Sequence, residues 1–157
     1  MKKRNGFHLL SNEDGASLVE LALVFPIFVL LLLGSVDFGR AYYLSTEVAG
    51  AAHAGALYGA RNPTDTAGMT TAAQDDAPDV STLSVQTPTY GCECADGSSY
   101  SANCGTIPIP SSCPNSIGVV YVVKVTVSAV YTPLLKFPGF NNSVTFYGFA
   151  SMRSAGS

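Results

Sequence analysis

The sequence predicts an α+β fold: one long N-terminal helix, a short second helix and a small antiparallel sheet. Three observations carry this. Apolar residues run without a charge from Leu21 to Val36 and continue in helix-compatible sequence to about Ala60. Asn62-Pro63-Thr64-Asp65 then breaks the helix and supplies a cap for a second one, from about Thr64 to Asp76, which stops at Pro78. Nearer the C-terminus, Ile117–Thr132 and Asn142–Arg153 alternate apolar and polar residues with the period of two that a half-buried strand requires. A helix laid on one face of a sheet buries the apolar stripe of each.

The N-terminal run sets the topology. Leu18 to Val36 is close to the roughly 20 residues that cross a bilayer, provided Glu20 is tolerated within it. Lys2, Lys3 and Arg4 precede it, so the positive-inside bias puts the N-terminus in the cytoplasm and everything after Asp37 outside. A cleaved secretory signal fits poorly. The small residues after the apolar core, Gly34 and Ser35, have Leu32 and Leu33 two positions before them, where a small residue is needed. Pro26 removes one helix hydrogen bond and predicts a bend. Gly50, Ala54, Gly55 and Gly59 give small-xxx-small spacings that admit another backbone at close range, either the sheet or a neighbouring helix. Asp37 and Arg40, three apart, form a local ion pair at the outer boundary.

In the C-terminal part, Val80 to Tyr90 alternates weakly and is expected to be a strand. Val119, Tyr121, Val123, Val125, Val127, Ala129 and Tyr131 form the apolar face of the strong strand. Val144, Phe146, Gly148, Ala150 and Met152 form that of the last, and a turn over 139–142 makes the two an antiparallel hairpin. The aromatic residues Tyr131, Phe137, Phe140, Phe146, Tyr147 and Phe149 are assigned to packing.

Composition excludes several functions. The 157 residues are 47% hydrophobic and 12% charged, with net charge −3, against about 25% charged in ordinary soluble domains. The apolar segment is not the cause, because residues 41–157 hold only four Lys+Arg and seven Asp+Glu beside 31 Ser, Thr and Asn. Such a surface offers nucleic acid no basic footprint. It is neutral and polar, which opposes close packing of subunits less than like charges would. No nucleophile elbow, P-loop or zincin motif is present. His53 is the one histidine after the first 15 residues, so no enzyme activity, cofactor, metal or small-molecule substrate is expected.

Glu20 carries the most information. A carboxylate inside a hydrocarbon segment costs about 2–3 kcal/mol at mid-bilayer and marks function or a partner. It lies five residues after Gly15, in Gly15-Ala16-Ser17-Leu18-Val19-Glu20. This arrangement resembles the processing site of type IV pilins and pseudopilins, in which a membrane-embedded prepilin peptidase cuts after the glycine on the cytoplasmic face and the apolar helix stays on the mature protein. The longer string Gly15 to Pro26, GASLVELALVFP, followed by Phe38-Gly39-Arg40-Ala41, resembles the TadE-like family, minor pseudopilins of the tight-adherence (Flp-type) pilus system. Ala16 stands where type IV major pilins usually carry Phe.

The resemblance implies a pilin-like fold and a division into a cytoplasmic leader (1–15), a transmembrane helix (16–37), its periplasmic extension (38–61) and a small periplasmic domain (62–157). It also implies an inner-membrane subunit required for biogenesis of a thin adhesive pilus. Its partners would be the prepilin peptidase, other pilus subunits including a second minor pseudopilin, and the assembly platform. Cleavage between Gly15 and Ala16 would create an ammonium group one helical turn from Glu20, and pairing of this carboxylate with a neighbour's amine would fix axial register. The alternative is a single-pass protein with a periplasmic ligand-binding domain.

Cys92, Cys94, Cys104 and Cys113 all fall in a Gly-, Ser- and Pro-rich stretch, 91–116, expected to be a loop. An unsupported loop of that length is unusual, and outside the cytoplasm disulfides persist. Two bridges are therefore expected. Of three pairings, Cys92 with Cys94 is strained, and the nested arrangement, Cys92 with Cys113 and Cys94 with Cys104, is favoured. A four-thiolate zinc site lacks the usual C-x2-C knuckles, and Asp75, Asp76 and Asp79 suit a solvated helix end better than a calcium site.

Overall fold

The computed structural model describes residues 13–98, 100–102, 104, 113, 118–134 and 143–154. The basic leader residues Lys2, Lys3 and Arg4, the expected turn at 139–142, and Phe137 and Phe140 lie outside the described residues. Helix α1 spans Glu13–Arg61, α2 Thr66–Asp76, and four strands follow: β1 Ser84–Val85, β2 Thr89–Cys94, β3 Val119–Tyr131 and β4 Val144–Arg153. The α+β expectation holds.

Helix α1 has two unlike halves. From Leu18 to Phe38 its large apolar side chains are exposed on all sides, and its most apolar stretch is 0% buried. A helix apolar all round belongs in lipid or in a large core. Among the described residues none packs a core around it. Among the described residues α1 is the one helix long and apolar enough to cross a membrane. Pro26 lies within the helix, which continues through it. Beyond Leu44 the character changes: Val48, Ala51, Ala52 and Ala56, spaced three and four apart, are fully buried against the sheet and α2.

Asp65 caps α2, its carboxylate accepting from the Gly68 N–H at 2.9 Å. The cap puts the start two residues after the expected one. Met69 and Ala73 of α2 join the core with Ala77, Val80, Val123, Val125, Val127 and Ala129. The sheet is antiparallel throughout, with β3 at its centre. β2 pairs with residues 119–124 of β3 and β1 with 127–128 along one edge, while β4 pairs with 122–131 along the other.

The expected Val80–Tyr90 strand is replaced by β1 and β2, separated by Gln86-Thr87-Pro88. Proline cannot donate to a ladder, so the pairing stops and restarts beyond it. Tyr147 and Phe149 are 70% and 64% exposed, against the expectation that they pack. The reason is parity: Phe146, Gly148, Ala150 and Met152 face α1, so the odd-numbered residues between them point to the uncovered face.

Glycines set how closely α1 approaches the sheet. A Cβ on Gly148 would lie 2.3 Å from the Val48 carbonyl oxygen, which is backbone and cannot swing aside. One on Gly59 would lie 2.6 Å from Val123 Cγ1 and 2.8 Å from Met69 Sδ. The small-residue face is thus used within the chain, to seat α1 on β3, β4 and α2. The Gly148→Ala change is therefore expected to cost about 1–3 kcal/mol, as overpacking does, and Gly59→Ala somewhat less because Met69 can yield. Gly39→Ala, with nothing within 4 Å, serves as the neutral control in urea unfolding of the detergent-solubilised chain.

Candidate functional site

The processing and assembly residues lie along the first two turns of α1. Gly15 is exposed, and the Gly15–Ala16 peptide bond is inside the helix, which begins at Glu13. Because the helix is unbroken from there, Ala16 and Glu20 are one turn apart on the same face. Glu20 is exposed among Leu18, Val19, Leu21 and Leu23, all more than half exposed. Among the described residues no group covers the carboxylate's face of the helix.

At the other end of the apolar half, α1 is fastened to the head. The expected Asp37–Arg40 ion pair is present, at 3.8 Å. Asp37 also does what its sequence neighbours did not reveal. Its carboxylate accepts from the Tyr131 hydroxyl and, at 3.1 Å, from the Leu134 N–H, and its carbonyl lies 2.8 Å from the same hydroxyl. The Arg40 guanidinium stands 5.8 Å over the Tyr131 ring. The end of β3 is therefore tied to the point where α1 leaves its apolar stretch.

Two more tyrosines of α1 repeat the device. Tyr43 donates to Asp79 at 2.8 Å and Tyr58 to Asp65 at 2.7 Å. Between Tyr43 and Tyr131 lies a cleft of about 340 Å³, lined also by Arg40, Asp79 and Thr82. Asp79 is occupied by Tyr43, and among the described residues no group of three or more His, Cys, Asp or Glu is placed to hold a metal ion. His53 is exposed.

The cysteines depart from expectation in two ways. Cys92 and Cys94 lie in β2 and not in a loop, and the bridge present joins Cys94 to Cys113, across 19 residues. The nested pairing is thereby overturned, and a four-thiolate zinc site with it. The reason is a reversal missed in the sequence. Asp96-Gly97 turns the chain, with Gly97 at φ +84° and Asp96 accepting from the Ser98 N–H and hydroxyl. In the returning segment Ser98 O accepts from the Cys94 N–H, and Ser101 forms an isolated antiparallel bridge with Cys92. The far end of the excursion closes on the end of β2 through Ala95 N–H to Gly118 O, which brings residue 113 to Cys94. An Asp-Gly pair after an apolar strand is a hairpin signal, and it was the available clue.

The architecture defines a class: a protein with, among the described residues, a single candidate span whose helix continues into, and is clasped by, a small α+β head. Residues 15–57 match the family model described as TadE-like protein. The match begins at Gly15 and lies wholly on α1. No curated protein and no solved structure matches the chain. Together the match and the apolar helix support a membrane protein associated with a Tad pilus.

The clasps give the head a pH signature. Burial raises the Tyr131 hydroxyl, as does its bond to Asp37, with Arg40 pulling the other way. The bond to Asp79 is the main cause that pushes Tyr43 up to about 12, and the bond to Asp65 raises Tyr58. The folded state thus holds protons that the unfolded chain releases above about pH 10, so this stabilisation is complete below that pH and lost as pH rises through the folded values. Asp65 is lowered, first by the Gly68 N–H and then by Tyr58. Its contribution is complete above about pH 4 and lost as pH falls through the lowered value. The thermal midpoint is expected to fall above about pH 10. Replacing Tyr43, Tyr58 and Tyr131 with Phe should lower the neutral-pH midpoint and flatten the alkaline fall.

Proposed function

We propose that the protein is a minor pseudopilin, a membrane-anchored assembly subunit processed after Gly15 and required for biogenesis of a thin adhesive pilus of the Tad/Flp type. The observation that carries the reading is the coincidence at the start of α1. A glycine, a carboxylate five residues on and an uncovered apolar helix stand together where the TadE-like match begins.

In this reading residues 1–15 are a cytoplasmic leader, 16–37 cross the inner membrane and the rest is periplasmic, consistent with Lys2, Lys3 and Arg4 before the apolar run. The prepilin peptidase cuts the Gly15–Ala16 bond, which requires local unwinding of the first helical turn. That turn is the easiest to open, because its N–H groups have no intrahelical partners. The new ammonium at Ala16 then lies beside Glu20.

In the membrane, a lone carboxylate favours any arrangement that supplies a positive partner. A neighbouring subunit's N-terminal ammonium is such a partner, which makes Glu20 the residue that sets register with other pilus subunits and a second minor pseudopilin. Uncovered helix on all sides of Glu20 leaves that contact sterically open. The head, held by its clasps, is carried outward with the helix on the assembly platform.

Mass measurement of the protein recovered from its native host should give a chain beginning at Ala16. An intact leader, or cleavage near Ser35, contradicts the reading. Glu20→Ala is expected to remain in the membrane fraction while pilus output falls at least tenfold. Unchanged output would remove the register role.

A further inference from the structure

We propose that Cys92 and Cys104 are a second disulfide pair, so that the four cysteines are joined in a crossed pattern, 92 to 104 and 94 to 113, and the excursion after β2 is locked from both sides. The proposal rests on the outward placement of the head, since a cytoplasm would keep both thiols reduced.

The two sulfurs share one anchor. Cys92 Sγ lies 3.5 Å and Cys104 Sγ 3.9 Å from the carbonyl oxygen of Ser101, so one acceptor gathers both sulfurs. Their backbones are held in place independently of any sulfur contact. Cys92 exchanges both of its main-chain hydrogen bonds with Ser101, each at 2.8 Å, and Cys104 follows three residues later. The anchoring residue cannot easily withdraw, because Ser101 and Tyr100 are packed directly over Gly91. A Cβ there would lie 2.4 Å from Ser101 O and 2.7 Å from the Tyr100 ring. Tyr100 is in turn capped by the Lys124 ammonium, 4.1 Å from its ring centre, and Lys124 pairs with Glu93 at 2.9 Å. The site is therefore built by main-chain pairing and side-chain packing, and both sulfurs converge on the Ser101 carbonyl as a consequence.

The crossed pattern follows from strand geometry. Cys92 and Cys94 are two apart in β2, so they present their side chains on the same face. The returning segment runs antiparallel, with Ser101 opposite Cys92 and Ser98 O accepting from the Cys94 N–H. A cysteine beyond Ser101 comes first to Cys92, and only the far end of the excursion, returning to Ala95 through Gly118, comes to Cys94.

Formation is a two-electron exchange with a disulfide-bearing oxidoreductase as oxidant. While the excursion is open either sulfur can meet the oxidant, and the exchange is the same in either order, for example with Cys104 first. Its thiolate, having lost a proton to solvent, attacks the oxidant's disulfide to form a mixed disulfide and release one oxidant thiolate. The Cys92 thiolate, likewise deprotonated, then attacks Cys104 Sγ and releases the second. The pair has lost two protons and two electrons, and the oxidant is left as a dithiol once it takes up the protons. Burial, followed by the neighbouring Cys92 thiol, pushes the Cys104 thiol up to about 11, which disfavours the thiolate in the closed head. The exchange therefore takes place while the excursion is still open, during folding.

The test is alkylation of the full-length chain, purified from membranes without reductant and denatured in the presence of the reagent, with labels counted on the intact mass. The wild type should take up no label. In Cys92→Ser one label is expected, mapped to Cys104, and in Cys104→Ser one label, mapped to Cys92. Two labels on the wild type, on Cys92 and Cys104, overturn the second bridge and leave the outward placement standing. Four labels overturn the placement and the bridge together. An unlabelled wild type whose Cys92→Ser variant is labelled on Cys113 restores the nested pairing and overturns the crossed one. The wild-type count needs no substitution and decides whether a second bridge exists, and peptide mapping of the unreduced wild type separates the crossed from the nested pairing even where a serine variant does not fold.

Discussion

The head depends on one close approach. The Val48 carbonyl of α1 occupies the space that a side chain on Gly148 would fill, and Val123 and Met69 fill the space beside Gly59. With small residues on α1 and valines on β3, the helix lies low enough for both layers to exclude water from Ala51, Ala52, Ala56, Val125 and Val127, all 0% exposed. The seam is built almost wholly of small and β-branched side chains, which have few rotamers to lose on burial. An ordinary amphipathic helix with leucines in these positions would stand higher, and Tyr43, Tyr58 and Asp37 would no longer reach their partners.

The clasps explain a feature of the composition. Charge is scarce outside the apolar segment, and much of it is committed to joints. Asp65 and Asp79 receive tyrosine hydroxyls, Glu93 pairs with Lys124, and the Arg153 guanidinium donates to the Ala95 carbonyl at 3.2 Å. Asp37, at the boundary, does the same for β3. A phenol donating to a carboxylate joins two elements with one charge where an ion pair uses two. The surface between the joints is left neutral.

How much of this could be read in advance depended on the range of the interaction. The long helix, the capped second helix and the β3–β4 hairpin announce themselves through local pattern: an uncharged run, Asn62-Pro63 before Asp65, and alternation in Val119–Tyr131 and Val144–Arg153. The Asp37–Arg40 pair is three residues apart and was legible for the same reason. Its tie to Tyr131, 94 positions away, was not. A tyrosine in an alternating strand looks the same whether its hydroxyl meets water or a carboxylate. The small residues of α1 were legible as a close-approach face, but a helix and a sheet leave identical marks on that sequence, and only Gly148 across the seam distinguishes them. The cysteine pairing failed at a single missed reversal, Asp96-Gly97, which converts a presumed loop into a strand and its return.

Beyond the apolar stretch, α1 and the sheet form one cooperative body, so that whatever moves the helix carries the head. Amide hydrogen exchange on the full-length chain in lipid nanodiscs tests it most directly. If the claim is right, amides of residues 48–59 open together with those of 122–129 in β3, in the same global event and at the same free energy. If residues 48–59 exchange orders of magnitude faster than β3, the helix is not seated on the sheet and the account is wrong.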